Sequence, residues 1–266
     1  MSPLRADHPI EPAGPPAQAA PVPRPGGFTL VELLVVVAII ALLLGILVPV
    51  VGKARQVAMT TRCLSNVRNM QIAHQMYMAE WKGAFIRVGL AHDGVHGNEA
   101  VAWINTLEEY YGNKLMHRSP VDDSPYWPVE EGGDGMTIAG EHRRTSYGVN
   151  NYLDASITPL AKPMNQSNLP RPSSTVHFLI MVFGVGDPNL DGFATADHPH
   201  AENWGSGSFA PIRASRQLET DAHGGPERTW QSISNYGFID GHAETLGFEQ
   251  VYRSATEHRF NPLTAW

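Results

Sequence analysis

The sequence is poor in cysteine, poor in basic charge and, over one long stretch, without charge of either sign. Cys63 is the only cysteine among 266 residues, so no intrachain disulfide can form. A disulfide framework is thereby excluded, although an extracytoplasmic address is not, because exported domains often fold without bridges. Lys and Arg number 19 against 26 Asp and Glu, a formal net charge of −7. With no basic stripe visible, that balance argues against a general nucleic-acid binder. A glycine-rich phosphate loop, a nucleophile elbow and an HExxH helix are all missing. Charge is missing altogether from Leu33 to Val51, nineteen residues. At about 1.5 Å of rise per residue this run makes roughly 28 Å of helix, close to the thickness of a bilayer's hydrocarbon core. A helix lying on a water-soluble core interposes polar residues every turn. The run therefore reads as a membrane helix.

One carboxylate, Glu32, stands at the amino-terminal edge of the run. A charge there costs up to about 3 kcal/mol on insertion scales, which marks it as functional. Ahead of it, residues 1–25 hold eight prolines and only Arg5 and Arg24 as fixed positive charges. Such a segment cannot bury a core and is expected to be disordered. A signal peptide fits poorly, since the apolar run is longer than a usual h-region and has no small-residue cleavage site at its far end.

The junction Gly27-Phe28-Thr29-Leu30-Val31-Glu32, followed by an apolar helix, resembles the signature of type IV prepilins and type II secretion pseudopilins. The resemblance implies cleavage by a prepilin peptidase between Gly27 and Phe28 and methylation of the new amino terminus. Glu32 then becomes the fifth mature residue (32 − 27) and Pro49 the twenty-second (49 − 27), where pilins often carry a helix-loosening proline. In an assembled filament Glu32 is expected to pair with the freed amine of Phe28 on a neighbouring subunit, neutralising two buried charges together. Pro49 removes one backbone hydrogen bond near the membrane exit. Segments around Cys63–Met76, Pro172–Val176 and Asn235–His242 resemble one pseudopilin subgroup common in planctomycete-like and verrucomicrobial bacteria. The subgroup's histidine before an Asp-Gly pair is misplaced here, the nearest upstream one being His223.

Charge and resemblance disagree about orientation. Lys53, Arg55, Arg62 and Arg68 follow the run while only Arg24 stands close before it, which by the positive-inside rule puts the body in the cytoplasm. The resemblance puts the leader there and the body outside, and it is preferred because the peptidase acts on the cytoplasmic side.

The expected organisation is a cleaved leader (1–27), a transmembrane helix (28–52), an amphipathic continuation (53–82) and a loop-rich α+β body (83–266). Val57, Leu64, Val67, Met70, His74, Tyr77 and Trp81 recur at spacings of mostly three and four, one stripe of a helix, with Arg62, Asn66, Arg68 and Gln71 facing the other way. His74 and Cys63 read as packed core residues. Further on, 101–111 reads as a short helix ending at Gly112, and 112–145 as surface loop. Residues 146–150 read as extended and 175–183 as a strand buried on both faces, while Asp240-Gly241 turns a hairpin between 233–239 and 243–248. The fold expected is α+β and pilin-like: a long amino-terminal helix packed on a small antiparallel β-sheet domain.

Two sets of residues have the chemistry of metal ligands. Asp187, Asn189 and Asp191 alternate before Gly192, like the start of a calcium loop, with Asp197 near the place of the closing carboxylate. Calcium binding is also what the resemblance to secretion pseudopilins implies. His198, His223, Asp240 and His242, with His200 nearby, are imidazoles and carboxylates suited to a transition metal, though at spacings of no tight zinc motif.

The reading is a non-enzymatic filament subunit, a single-pass protein of the inner (cytoplasmic) membrane with its carboxy-terminal domain periplasmic or otherwise extracytoplasmic. Its expected partners are the prepilin peptidase, other pilin-like subunits, an inner-membrane assembly platform and the lipid bilayer, with no nucleic acid. A membrane-tethered metal-dependent enzyme and a minor tip subunit that binds cargo through the loops at 112–145 stay open as alternatives.

Overall fold

The computed structural model describes residues 27–90, 97–112, 117–138, 140–162, 164–184 and 191–266, with nothing described of the Asp191 side chain. The expected leader, apart from Gly27, lies outside the described residues. Helix α1 spans Leu30–Glu80, with Pro49 inside it. The chain divides into two compact units, Met1–Val50 and Val51–Trp266, so α1 contributes to both.

In the first unit every described side chain is exposed, Leu, Ile and Val included. Apolar side chains on all faces suit a surrounding of lipid or sister helices rather than water. Pro49 has no N–H to donate, so the carbonyl of Gly45 loses its partner one turn back.

The second unit is built on the remainder of α1. This segment ends where Lys82 (φ 54°) and Gly83 (φ 80°) enter the left-handed region, and Gly83 N–H donates to the Met78 carbonyl at 2.8 Å. Helix α2, Trp103–Tyr111, stops at Gly112, whose positive φ lets its N–H donate to the Glu108 carbonyl. Strand β1 (Tyr147–Val149) pairs antiparallel with β2 (Phe178–Ile180), and β3 (Ile233–Gly237) with β4 (Ala243–Gly247). The two pairs meet through the Val176–Phe238 bridge and a 2.7 Å bond from His177 N–H to the Gly237 carbonyl. A short hairpin of β5 (Tyr252–Ser254) and β6 (Glu257–His258) is followed by Arg259, whose carbonyl accepts from Val176 N–H at 2.9 Å. Two short helices, α3 (Asp191–Ala194) and α4 (Ala210–Ala214), lie between β2 and β3 in sequence. A long amino-terminal apolar helix with small antiparallel sheets is the α+β, pilin-like fold that the sequence led us to expect.

The alternation of side chains along a strand divides the core. Tyr147, Val149, Phe178 and Ile180 pack against Cys63, Val67 and Met70 of α1 and Trp103, Ile104 and Leu107 of α2. Leu179 and Met181 pack on a second cluster that contains Trp204, Phe248, Tyr252 and Phe260. The 175–183 stretch is buried on both faces, although regular strand is confined to Phe178–Ile180.

Three expectations need correction. Gln71 does not face outward: it is fully buried, with Oε1 3.1 Å from His177 Nδ1, because the sheet approaches α1 on that side. The ends of the expected stripe, Val57 and Trp81, are exposed instead. Segment 112–145 is not simply a surface loop. Ser119, Asp122, Tyr126, Trp127, Arg143 and Thr145 are buried there, around an ion pair in which Arg143 Nε and Asp122 Oδ2 are 2.8 Å apart. Arg143 also donates to the carbonyls of Met181, Val182 and Ala194, which fastens the irregular segment to the end of β2.

Candidate functional site

The amino-terminal residues of α1 form a reciprocal cap. Thr29 precedes the first helical residue, and its N–H and hydroxyl donate to Glu32 Oε2 at 2.8 and 2.7 Å, while Glu32 N–H reaches back to Thr29 Oγ1 at 3.3 Å. This is the capping box, in which a Thr and a carboxylate three residues on satisfy otherwise orphaned N–H groups at the helix start. Both bonds to the carboxylate go to Oε2, so among the described residues Oε1 has no partner. The Thr-x-x-Glu spacing that forms this cap is present in the sequence at Thr29 and Glu32. Just ahead, Gly27 has open space around its Cα and Phe28 is 75 % exposed. The Gly27–Phe28 bond is therefore flanked by free volume on an irregular segment that enters a capped helix.

Residues 23–48 match the prokaryotic N-terminal methylation motif, which covers Gly27, Phe28 and Glu32. No curated protein and no solved structure matches the chain. The motif and the apolar helix support a pilin-like, membrane-anchored subunit, and among the described residues one helix, α1, is long and apolar enough to cross a membrane. The motif implies processing by a prepilin peptidase and assembly with other pilin-like subunits.

The candidate metal ligands that lie among the described residues are not gathered into one group. Asp187 and Asn189 lie outside the described residues, and Asp191 begins α3 with its side chain not described. Asp197 is fully buried. Its Oδ2 accepts from Gly89 N–H at 2.9 Å and its Oδ1 lies 2.9 Å from His198 Nδ1, so both oxygens are engaged by protein. His223 has Nδ1 3.2 Å from Thr60 Oγ1 and Nε2 2.9 Å from Asn235 Nδ2, which places it as a buried link between α1 and β3. Burial lowers its pKa to about 4. His242 Nδ1 lies 2.5 Å from Asp240 Oδ1 across the β3–β4 turn, and its ring stacks on Phe238 at 4.3 Å. With Gly241 at φ 102°, Asp-Gly-His is here a self-stabilised turn. Among the described residues, no group of three or more His, Cys, Asp or Glu is placed to hold a metal ion.

His74 and His177 form a pair that sequence reasoning found only in part. Their ring centroids are 4.2 Å apart, both side chains are buried, and neither nitrogen of His74 has a hydrogen-bond partner. Burial lowers the pKa of His74 to about 3; burial and then the His74 charge put that of His177 well below 6.5. The stripe pointed to His74, but His177, on the edge of β2, had no local signal.

Proposed function

We propose that this chain is a prepilin-like filament subunit of a type II secretion or type IV pilus-like assembly. The observation that carries the reading is the methylation motif at residues 23–48, coincident with a capped apolar helix. A membrane peptidase cuts between Gly27 and Phe28 and methylates the amine of Phe28. The cut leaves Thr29 N–H and the capping box intact, so the helix start stays ordered. Glu32 keeps Oε1 for the amine of a neighbouring subunit, and pairing removes two uncompensated charges from a low-dielectric filament core. The helices of many copies then exchange lipid contacts for contacts with one another. The carboxy-terminal unit is displayed outside the inner membrane, where the subunit does mechanical work rather than catalysis.

The test is the mature amino terminus. Mass spectrometry of the chain expressed with a prepilin peptidase is expected to find methylated Phe28 as the first residue. A polypeptide that still begins at Met1 under those conditions overturns the reading.

A further inference from the structure

A cleft of about 360 Å³ in the second unit lies beside the end of α1. Its apolar lining comes from Tyr77, Phe85, Leu153 and Met164, and its only charged lining residues are Lys82 and Arg87, with no carboxylate. The two cations are poorly neutralised. Lys82 is exposed and has no partner among the described residues. Arg87 Nε is 3.9 Å from Asp154, whose carboxylate already accepts from the backbone N–H groups of Val88 and Ser156. The cleft thus asks for an apolar group followed by negative charge.

The same unit carries a projection of that character. The 3-10 turn Val129–Glu131 presents Val129 at 69 % exposure, with Glu130 and Glu131 exposed beside it and without side-chain partners among the described residues. Met136, 49 % exposed, follows closely, and Gly135 approaches Val129 so tightly that an added Cβ would lie 2.8 Å from Val129 Cγ2. The projection is held rigid from below. The Arg118 guanidinium sits 4.8 Å from the centre of the buried Trp127 ring and donates to the carbonyls of Glu131 and Asp122. A rigid apolar tip with two carboxylates loses little entropy on docking.

We propose that the Val129–Glu131 projection of one copy docks in the Lys82–Arg87 cleft of the next. The proposal rests on the filament reading and adds the contact between carboxy-terminal units. Because the two surfaces are different, the contact is head-to-tail and leaves a free cleft and a free projection at every step, as an open filament requires. Val129 enters the apolar part of the cleft while Glu130 and Glu131 face Lys82 and Arg87.

Cysteine cross-linking in the full-length chain tests it, and the background is clean because Cys63 is buried. Copies carrying Val129→Cys are co-expressed with copies carrying Ala155→Cys, Ala155 being an exposed residue on the cleft wall. Sheared filaments are expected to yield a disulfide-linked dimer that neither variant forms alone. In parallel, Lys82→Glu with Arg87→Glu is expected to lower incorporation into filaments about tenfold, and Glu130→Lys with Glu131→Lys in the same chain to restore it. Filaments that form without the cross-link, or that tolerate the reversed cleft unchanged, overturn the docking. A wild-type chain that is processed but never assembles overturns the filament reading itself, and the docking with it.

Discussion

Arg143 and Asp122 form a buried ion pair in the middle of a segment with little regular structure, which makes their geometry directly testable. Besides Arg143, Asp122 accepts from Ser124 N–H and the Ser146 hydroxyl, at 2.9 and 2.5 Å. Arg143→Met strands that carboxylate and three carbonyls, and breaking a buried pair in this way costs about 3–5 kcal/mol. The melting temperature of the detergent-solubilised chain is expected to fall by roughly 10 °C. The double change Arg143→Met with Asp122→Leu is expected to recover part of that loss, read by near-ultraviolet circular dichroism. The buried imidazoles make a second prediction. His74, His177, His223 and His258 all have folded pKa values below 6.5, each mainly through burial. Their contribution to stability is present above pH 6.5 and is lost as pH falls through the folded values, about 3 for His74 and about 4 for His223 and His258. Glu219 opposes them. Burial raises its pKa to about 7, so its contribution is present below pH 4.5 and lost as pH rises through about 7. Asp221, its pKa raised mainly by burial, also opposes them, and four groups against two make stability rise with pH between about 4.5 and 6.5. His74→Phe removes one titrating group and two unpartnered nitrogens, and is expected to flatten that slope without lowering stability at pH 7. An unchanged slope in pH-dependent urea titrations contradicts the assignment.

Helix α1 and strand β3 approach more closely than side chains normally permit, and glycine makes that approach feasible. A Cβ placed on Gly237 would lie 2.6 Å from Val67 Cγ1 and 2.7 Å from Gln71 Nε2. Gly237→Ala therefore has to push the hairpin off the helix, and overpacking of this kind costs about 1–3 kcal/mol. A lower urea midpoint with an unchanged slope is the expected result; an unchanged midpoint means that the helix and hairpin separate freely. Because the Gly237 carbonyl accepts from His177 N–H, the same change is expected to increase hydrogen exchange at His177.

Assembly is a property of many copies, and Glu32 is where it is most cheaply probed. Glu32→Ala removes a charge from the head of an apolar helix, so insertion into the membrane is expected to be unimpaired or improved. On the proposed filament reading it also removes the carboxylate assigned to a neighbour's amine, so the recovery of the variant in sheared filaments is expected to fall severalfold. Glu32→Gln keeps an acceptor for the Thr29 cap but not the charge. A low yield for both variants assigns the defect to charge; a normal yield for Gln alone assigns it to the cap. Equal recovery of all three chains contradicts the role.

The long apolar helix, the methylation motif and the Asp-Gly turn were readable in one dimension, because each depends on local sequence. Nineteen uncharged residues make a helix long and apolar enough to cross a membrane wherever the rest of the chain lies. Placement of the polar interior was not readable in that way. Gln71 is buried because His177, 106 residues on, meets it, and Arg143 because carbonyls 38 to 51 residues away converge on it. The histidines that looked like ligands are distributed among a turn, a helix–strand link and a buried carboxylate contact. Local pattern settles where an apolar run must go, since transfer from water depends on the run itself. Which polar groups are buried depends on partners that only folding brings within hydrogen-bonding distance, and that choice belongs to the tertiary structure.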